Sequence, residues 1–420
     1  MLRVTESNLS SRRFLLLQGP QSRFFYCLSQ ALIKEGASVF KVNFCGGDVF
    51  LWGVQNSLLY RQDVYHWPAW IGQVFRKYQI TDLCLYGDWR PLHWEAVRLA
   101  KLLSIRVWVY EEGYLRNGYS TLEEFGVNGR SLLPKTAHRI HEMAQGLREV
   151  EPIETINDIR DKVYGAIRHH VGNALLWPFF HHYKTHRPTN IAFELVEILP
   201  RYLTRHKRHR ESEQKLEAFY KDDSPYYFFP LQLNSDSQIQ LYSPYVRLQE
   251  ALASIMTSFA LHAPSDSRLL IKNHPLDNGL LDYAAFIRSF ATELGLLDRV
   301  TFVEDGSTAK MIQSCRGVVL VNSTVGLMAL EAGKPVYCLG QSVYNIQGLT
   351  QSLPLDSLDN FWNHPVTPNS QLYQDFKLVL QNQALVRGNF YSFKGIEIAV
   401  SDSLLRFKEP RQHDYDITKG

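Results

Sequence analysis

The sequence predicts an α/β protein with two doubly wound domains joined by a helical segment. Short apolar runs alternate with amphipathic stretches over the first 140 residues; the alternation stops between about 140 and 220 and resumes from 225. This alternation is typical of βαβ units with a parallel sheet covered on both faces. A chain of 420 residues also exceeds the roughly 250–300 residues at which a single core stops growing, so two cores are expected.

Each element of the first domain follows from its own pattern. Short apolar runs that precede glycine or a turn predict four strands: "RFLLLQG", "ASVFKVNF", "DLCLYG" and "IRVWVYEEG". Amphipathic spacing between them predicts three helices: "FFYCLSQALIKEG", "AWIGQVFRKYQ" and "HWEAVRLAKLL". Gly36 ends the first helix, a position where glycine is common.

The second domain repeats the pattern. Its predicted strands are "YYFFPLQ", "RLLIKN", "RVTFVED", "GVVLVN" and "PVYCLG", and its helices lie at 246–260, at 281–295 and in "TVGLMALEAG". We therefore expect Rossmann-like domains at 1–140 and 221–345 with a cleft between them. A helical, basic segment is expected at 141–220, and a helical and loop region with a polar tail at 346–420.

Composition narrows the class of protein. Hydrophobic residues make up 45% and charged residues 21% of the chain, as in ordinary soluble globular proteins. The apolar run near the N-terminus is too short for a signal peptide, and no run reaches the roughly 18 residues of a membrane span. Five scattered cysteines without a CxxC pair indicate reduced thiols in the cytoplasm, not a disulfide framework or a zinc site.

Polar residues follow the predicted strands, and in doubly wound sheets ligands bind outside the carboxyl ends of the strands. In the first domain the candidate residues for the acceptor and sugar side are Gln18, Gly19, Asn43, Asp48, Asp88, Arg90 and Arg116. Asp48 and Asp88 have an alternative interpretation as helix N-caps. No GxGxxG or P-loop follows any strand, which argues against a dinucleotide or Walker site.

Glu111 and Glu112 are the candidate catalytic acids. They follow the apolar run "IRVWVY" and precede Gly113, so burial and mutual repulsion are expected to raise the pKa of one of them. Such an acid serves as a general base or a nucleophile; the alternative is a solvated surface pair. Successive strand residues point to opposite faces, and the turn at Gly113 favours Glu112 as the acting group with Glu111 as its partner.

In the second domain the candidates favour an anion. Lys272 and His274, the latter directly before Pro275, follow the strand "RLLIKN". Asn322, Ser323 and Thr324 end another strand and open a helix; Ser323 or Thr324 is a natural N-cap, and Glu331 lies two turns later on the same face. A second His-Pro, at 364–365, follows no strand and is interpreted as loop.

Together these blocks resemble the capsule polysaccharide biosynthesis family, and within it the β-Kdo (3-deoxy-D-manno-octulosonate) transferases of Gram-negative capsule export systems. The resemblance spans about residues 10 to 345. The matching blocks, in order, are "LLLQGPQSRFF", "NFCGGD", "YGDWRPLH", "YEEGYLR", "KNHP" and "NSTVGLMALEAGKPV". Six blocks in sequence are far more specific than any one of them.

The resemblance implies a GT-B-like glycosyltransferase that uses CMP-β-Kdo and retains the β linkage. It implies that His274 and Pro275 contact the CMP phosphate, that Ser323 and Thr324 also bind phosphate, and that the acidic pair supplies the catalytic carboxylate. Related enzymes usually carry Glu-Asp-Gly where this chain has Glu-Glu-Gly, so the resemblance leaves the acting acid open. No DxD motif is present, and we expect no metal cofactor.

The implied acceptor is phosphatidylglycerol or its lyso form, on which the poly-Kdo linker of capsule begins. Residues 168–210 contain eight Lys or Arg and two Glu, a local charge of +6 in a chain of net charge +3. This stretch, with Trp177, Phe179 and Phe180, suits an anionic leaflet; the alternative is a solvated helical face. We therefore expect a cytoplasmic protein, peripheral at the inner face of the inner membrane.

The sequence is also compatible with other functions. The partners expected are CMP-Kdo, an anionic phospholipid and other capsule biosynthesis proteins. A transferase for a UDP- or GDP-sugar and a non-catalytic scaffold subunit of the capsule complex are the alternatives. Nucleic acid is not expected, because no RNA- or DNA-binding motif accompanies the basic stretch and the rest of the chain is acidic.

Overall fold

The computed structural model describes residues 9–115, 118–153, 159–184, 201, 203–233 and 237–410. The chain divides into two compact units. Unit 1 contains Met1–Leu133, Leu147–His186 and Leu378–Gly420, and unit 2 contains Pro134–Gly146 and Arg187–Lys377.

The described strands and α-helices are numbered here in chain order. The strands are β1 Arg13–Leu16, β2 Ser38–Asn43, β3 Ser57–Leu59, β4 Asp82–Tyr86, β5 Arg106–Glu112, β6 Tyr119–Glu124, β7 Tyr226–Pro230, β8 Arg268–Lys272, β9 Val300–Val303, β10 Gly317–Leu320, β11 Val336–Cys338 and β12 Leu385–Arg387. The helices are α1 Phe24–Lys34, α2 Gly46–Trp52, α3 Trp67–Lys77, α4 Pro91–Leu102, α5 Ala137–Ala144, α6 Ile159–Leu175, α7 Arg205–Tyr220, α8 Ser237–Tyr242, α9 Leu248–His262, α10 Tyr283–Glu293, α11 Thr308–Ser314, α12 Val325–Glu331, α13 Leu358–Phe361, α14 Ser370–Gln383 and α15 Phe393–Lys408.

Unit 1 is built on a sheet whose described strands have the order β12-β6-β5-β4-β1-β2-β3. The strands β1 to β5 are parallel where they pair, and β6 and β12 add an antiparallel edge. Reading only the parallel strands, the order is 3-2-1-4-5, which is the doubly wound arrangement with a switch point between β1 and β4.

Both faces of this sheet are covered, as the apolar runs predict. Phe14 lies in one apolar cluster with Leu28 of α1 and Phe407 of α15. Its neighbour Leu15 lies in another cluster with Ile71 of α3. Because successive strand residues point to opposite faces, each strand contributes to two cores, and a fully buried side chain of this size stabilises the fold by roughly 1.5–3 kcal/mol.

Unit 2 repeats the arrangement with an all-parallel sheet, whose described strands have the order β11-β10-β7-β8-β9. Numbered within the unit this is again 3-2-1-4-5, with the switch point between β7 and β10. Tyr227 and Phe229 of β7 pack in one core with Ile255 and Phe259 of α9 and with Trp362. The predicted α/β class with two Rossmann-like sheets is confirmed.

The units are not contiguous in sequence, unlike the ranges predicted above. The predicted C-terminal region at 346–420 divides: β12 pairs with β6, and α15 covers the face of unit 1 that α1 also covers. The predicted segment 141–220 divides as well, because α6 lies in unit 1 and α7 in unit 2. The strand β12 has three residues and pairs with a partner more than 260 residues away, so no local pattern signals it.

Two expectations from composition have structural counterparts. All five cysteines are free thiols. In the part of the chain that the structure describes, no helix is both long enough and apolar enough to cross a membrane. The polar tail at 411–420 lies outside the described residues.

Candidate functional site

At the switch point of unit 1, Gln18 connects the ends of two strands. It lies two residues beyond β1, and its Oε1 accepts a hydrogen bond of 2.7 Å from Nη1 of Arg90, which follows β4. Its Nε2 donates to Oδ1 of Asp48 at 3.2 Å and to the hydroxyl of Tyr183 at 3.0 Å. Gln18 is 5% exposed, so this polar cluster is buried at the place where doubly wound sheets bind ligands.

Asp48 is a buried acid in the first turn of α2, not the N-cap of that helix. The N-cap is Cys45, and Oδ2 of Asp48 reaches back to accept from the backbone N–H of Phe44 at 2.9 Å. A buried lysine, Lys41, lies near it: burial lowers the pKa of Lys41, while Asp48 and Cys45 act in the opposite direction. The acid therefore neutralises part of an interior positive charge.

The remaining described candidate residues of unit 1 make contacts within that unit. Asn43 is buried and donates to the carbonyl of Gly53 at 3.0 Å, which holds the loop after α2. At Gly19 a Cβ would lie 2.8 Å from the Phe25 ring, so the glycine serves the packing of α1. Asp88 is buried, with Arg130 3.7 Å away, and the N-cap of α4 is Arg90. The candidate Arg116 lies outside the described residues.

Glu112 ends β5 and is held by two phenols and a lysine. Its Oε1 accepts from the hydroxyls of Tyr391 at 2.8 Å and Tyr86 at 3.4 Å, and Nζ of Lys162 lies 3.6 Å away. Burial, followed by the charge of Glu112, raises the pKa of both tyrosines well above its usual value, so both remain hydroxyl donors. The arrangement orients a carboxylate.

Glu111 is half-buried and Glu112 is exposed, so the burial expected to raise the pKa of one of them is not found at Glu112. The side chain of Glu112 is 53% exposed, because β5 ends there and its neighbours leave one side open. The expected alternation of faces is confirmed: Glu112 is near Tyr391, on the face covered by α15, whereas Glu111 lies near Gly87, to whose Cβ position its Oε2 is 3.5 Å. Oε1 of Glu111 also accepts from the N–H of Glu112 at 3.1 Å.

At the matching edge of unit 2, the turn after β8 positions His274. Nδ1 of His274 accepts from the backbone N–H of Leu276 at 3.1 Å. A nitrogen that accepts carries no hydrogen in the neutral ring, so the hydrogen is on Nε2, which is then a donor. Lys272, the last residue of β8, is buried, and Pro275 is exposed.

Asn273 organises this turn. Its Oδ1 accepts from the N–H of His274 at 2.8 Å, and its Nδ2 donates to Asp277 at 3.1 Å and to Glu304 at 3.0 Å. The two acids are in turn paired with Arg201, at 3.2 Å and 2.6 Å. Through Asn273, the backbone of His274 is therefore connected to a network of charged side chains, which helps to position this histidine.

Gln232 and Asn322 form a pair across the switch point of unit 2. Nε2 of Gln232 donates to Oδ1 of Asn322 at 3.0 Å, and Oε1 of Gln232 accepts from the N–H of Asn322 at 3.1 Å. The helix that follows begins after Thr324, whose side chain makes no capping bond; Oγ of Ser323 accepts from the N–H of Val325 at 3.3 Å. Ser323 thus forms a short side-chain turn and is not an N-cap.

Glu331 lies at the far end of α12 from Ser323. The helix has seven residues and spans about 10 Å, so Glu331 and Ser323 are not neighbours. Its carboxylate accepts from the hydroxyl of Tyr373 at 2.6 Å and from Nζ of Lys377 at 3.2 Å. In unit 2 it therefore joins α12 to α14.

Several residues around these sites were not predicted. They are Cys45, Tyr86, Lys162, His169, Tyr183, Gln232, Asn273 and Tyr391. Gln232 and Asn273 lie directly beyond strands, so the strand-end rule could have found them. Lys162 and Tyr391 reach Glu112 from segments 50 and 279 residues away, and no local pattern marks such contacts.

The basic stretch is divided between the two units. Arg208 of α7 pairs with Glu304 at 3.5 Å and donates to the carbonyl of Arg201, so it supports the network of unit 2. In unit 1, Trp177 and Phe179 are 65% and 58% exposed, whereas Phe180 is buried, and its predicted place at headgroup depth is wrong. Residues 185–200 lie outside the described residues.

Comparison with known proteins identifies the family. A profile described as "Capsule polysaccharide biosynthesis protein" matches residues 81–391. The capsule polysaccharide export protein KpsS of Escherichia coli is 31% identical over 389 residues, which cover 91% of this chain and 98% of KpsS. The capsule polysaccharide modification protein LipB of Neisseria meningitidis serogroup A is 32% identical over 396 residues, covering 91% and 92%.

Among solved structures, the beta Kdo 2,7 transferase of Thermosulfurimonas dismutans KpsC aligns with 95% of this chain and 100% of that chain, at 16% identity and a TM-score of 0.46. The profile spans most of the chain, and the identity to KpsS and LipB extends over nearly all of it. The resemblance seen in the six sequence blocks is thereby confirmed, and the chain belongs to the capsule polysaccharide biosynthesis protein family.

Proposed function

We propose that this protein is a glycosyltransferase that moves Kdo from CMP-β-Kdo to a phosphatidylglycerol-type lipid with retention of the β linkage. The observation that carries the proposal is Glu112, a carboxylate at the carboxyl edge of a doubly wound sheet, oriented by two phenols and a lysine. Membership in a capsule family supports the sugar class, and the first Kdo residue would start the poly-Kdo linker.

Unit 2 supplies the donor-binding chemistry in this proposal. The Nε2–H of His274 donates to the phosphate of CMP, and Lys272 adds positive charge from the same strand end. Asn322 and Ser323, at the end of the neighbouring β10, bind the rest of the nucleotide. Because donors and a cation neutralise the phosphate, the transfer needs no metal ion at the phosphate.

Glu112 acts at the anomeric carbon. As a nucleophile it forms a bond to that carbon while the bond to phosphate breaks and CMP leaves; the acceptor hydroxyl then displaces the carboxylate and loses its proton to a base. Two inversions give retention. If Glu112 acted only as a general base, the acceptor would attack the anomeric carbon directly and the linkage would be inverted, so retention favours the nucleophile. The hydrogen bonds from Tyr391 and Tyr86 orient the carboxylate.

The lipid acceptor requires that the protein bind a membrane surface, and α6 offers one. Val163, Ile167, Val171 and Leu175 follow each other at four-residue spacing and are 45–64% exposed. The opposite face of the same helix, with Gly165, His169 and Gly172, is buried. An apolar stripe that faces solvent, followed by exposed Trp177 and Phe179 and flanked by lysine and arginine, is suited to the interface of an anionic leaflet.

The decisive experiment incubates the pure protein with CMP-Kdo and short-chain phosphatidylglycerol and measures the product by mass spectrometry. We expect a mass gain of one Kdo and release of CMP, and no turnover with UDP- or GDP-sugars. Glu112→Gln should lose most of its activity while its thermal melt is unchanged. Absence of turnover with every donor in the well-folded protein would favour the scaffold subunit instead.

Membrane binding is tested separately, by sedimentation with vesicles containing phosphatidylglycerol. Trp177→Ser with Phe179→Ser should reduce binding by roughly tenfold, because interfacial aromatics contribute strongly to partitioning. Phe393→Ser is the matched control, since Phe393 is also in unit 1 and is 87% exposed. Equal loss in both variants would contradict a localised membrane surface.

A further inference from the structure

Three side chains with metal-binding atoms meet inside unit 1. The Sγ of Cys45, a carboxylate oxygen of Asp48 and a ring nitrogen of His169 all lie within 4.8 Å of one another. The three residues are 1%, 5% and 6% exposed. A buried thiol, carboxylate and imidazole in one place form a mixed donor set, and not merely an acidic cluster on a surface.

The backbone is arranged to bring them together. Cys45 and Asp48 belong to the start of α2, whereas His169 comes from α6, more than 120 residues later. At Gly46 a Cβ would lie 2.0 Å from the carbonyl oxygen of Gly172, and at Gly47 it would lie 2.2 Å from Nδ1 of His169. Only glycine fits at either position, so the Gly-Gly pair is what allows the imidazole to reach the thiol and the carboxylate.

Hydrogen bonds from neighbouring groups hold these side chains and the helix crossing in place. The Nε2 of Gln18 lies 3.6 Å from Sγ of Cys45 and 3.2 Å from Oδ1 of Asp48, so an amide donor already orients both groups. Oδ1 of Asn173 accepts from the N–H of Gly47 at 2.7 Å and fixes the helix crossing. Such outer hydrogen bonds are the ones that commonly hold metal ligands in place.

We propose that Cys45, Asp48 and His169 bind a zinc ion that joins α2 to α6. Thiolate, imidazole and carboxylate are the ligand types that zinc accepts in tetrahedral sites, and three protein ligands leave the fourth position for water. On binding, the S–H proton of Cys45 is released to solvent and a zinc–sulfur bond forms. This site revises the expectation from cysteine spacing, because its ligands come from two distant segments and show no CxxC or related pattern.

The zinc ion would have a structural role. It would fix the buried face of α6, and with it the direction of the exposed stripe from Val163 to Leu175 on the opposite side of the helix. The inference does not depend on the proposed transfer reaction: it concerns metal content and the stability of unit 1, and it places no metal at the donor phosphate.

The test begins with the untagged full-length protein. Elemental analysis should find about one zinc per chain. After chelation, reloading with Co²⁺ should produce a thiolate-to-cobalt charge-transfer band in the near ultraviolet, and chelation should lower the melting temperature by roughly 5 °C. Cys45→Ser should lose the band and its sensitivity to chelator. Cys84→Ser, another buried cysteine in unit 1, is the matched control and should keep both.

A second variant keeps the test decisive if Cys45→Ser does not fold. His169→Gln removes the imidazole from the other helix and should lower cobalt affinity at least tenfold, as loss of a ligand does. Substoichiometric metal in the wild type with no cobalt band would overturn the proposal. A stoichiometric metal that survives both Cys45→Ser and His169→Gln would also overturn it, because that metal would be bound elsewhere.

Discussion

The two sheets share a topology but differ in what crosses their switch points. In each unit a glutamine two residues beyond the first strand bridges to a residue beyond the fourth. Gln18 of unit 1 lies between a cation, Arg90, and an anion, Asp48. Gln232 of unit 2 pairs with the side chain and backbone of the neutral residue Asn322. The topology thus determines where the residue lies, and the side chains decide the chemistry.

The difference extends along each edge. The edge of unit 1 carries acids: Glu111 and Glu112 end β5, and Asp48 and Asp88 follow β2 and β4. In unit 2, Lys272 ends β8 and His274 follows in the next turn, and the acids Asp277 and Glu304 are paired with Arg201. An edge of carboxylates suits chemistry at a sugar carbon or a hydroxyl, and an edge of donors suits a phosphate. The proposed transfer requires both, and the predictions below test each edge by itself.

The largest effect is expected at the acidic edge. Glu112→Gln removes the charge but keeps the shape and should lower kcat by about 10²–10⁴, with little change in donor affinity. Glu111→Gln should lose less, because Glu111 lies on the other face of β5. Transfer rates with CMP-Kdo provide the measurement. If Glu111→Gln were the less active variant in folded protein, the assignment would be reversed.

The next effect is expected at the phosphate edge. His274→Ala should raise the donor KM and lower kcat, together about 10–100-fold in kcat/KM, because a hydrogen bond to the departing phosphate strengthens in the transition state. The control is His364→Ala, an exposed histidine that also precedes a proline. A purely structural role for His274 would lower the melting temperature and leave the kinetics of the folded fraction intact.

The two glutamines test the comparison directly through stability. Gln18→Leu leaves Arg90 and Asp48 without their bridging amide. It should lower the free energy of unfolding by about 2–3 kcal/mol, because hydrogen bonds to charged groups are stronger than those between neutral groups. Gln232→Leu removes hydrogen bonds between neutral groups and should lower the free energy of unfolding by about 1 kcal/mol. Urea unfolding measures both, with exposed Gln30→Leu as the control. Equal losses of unfolding free energy would mean that the charges of Arg90 and Asp48 do not strengthen the hydrogen bonds of Gln18.

The smallest effect concerns His209, beside the edge of unit 2. The carboxylates of Asp305 and Glu213 raise the pKa of His209 above 6.5. A raised folded-state pKa means that the stabilisation is fully present below about pH 6.5 and is lost as the pH rises through the folded value. His209→Gln should therefore lower the melting temperature slightly at about pH 6 and not at about pH 8.5. His206→Gln, exposed on the same helix, should show no such difference.

Much of the fold and part of the site could be predicted from local sequence. The buried strands β1, β2, β4 and β5 and those of unit 2 are short apolar runs, and parallel pairing follows from the helices between them. Strand ends then place Gln18, Lys272, His274 and Asn322 without further information. The hydrogen-bonding role of Ser323 could not be predicted from the sequence, because a side-chain turn and an N-cap have the same local sequence.

What the sequence by itself determined is the buried parallel strands with most of the helices between them, the two-unit α/β class, the family and the residues at the strand ends. These depend on patterns within about ten residues. Only the tertiary structure decided that β12 and α15 complete unit 1, that Tyr391 and Lys162 hold Glu112, and that His169 meets Cys45 and Asp48. Contacts between residues so far apart depend on how helices and sheet edges pack, and no local sequence pattern indicates which distant residues will meet.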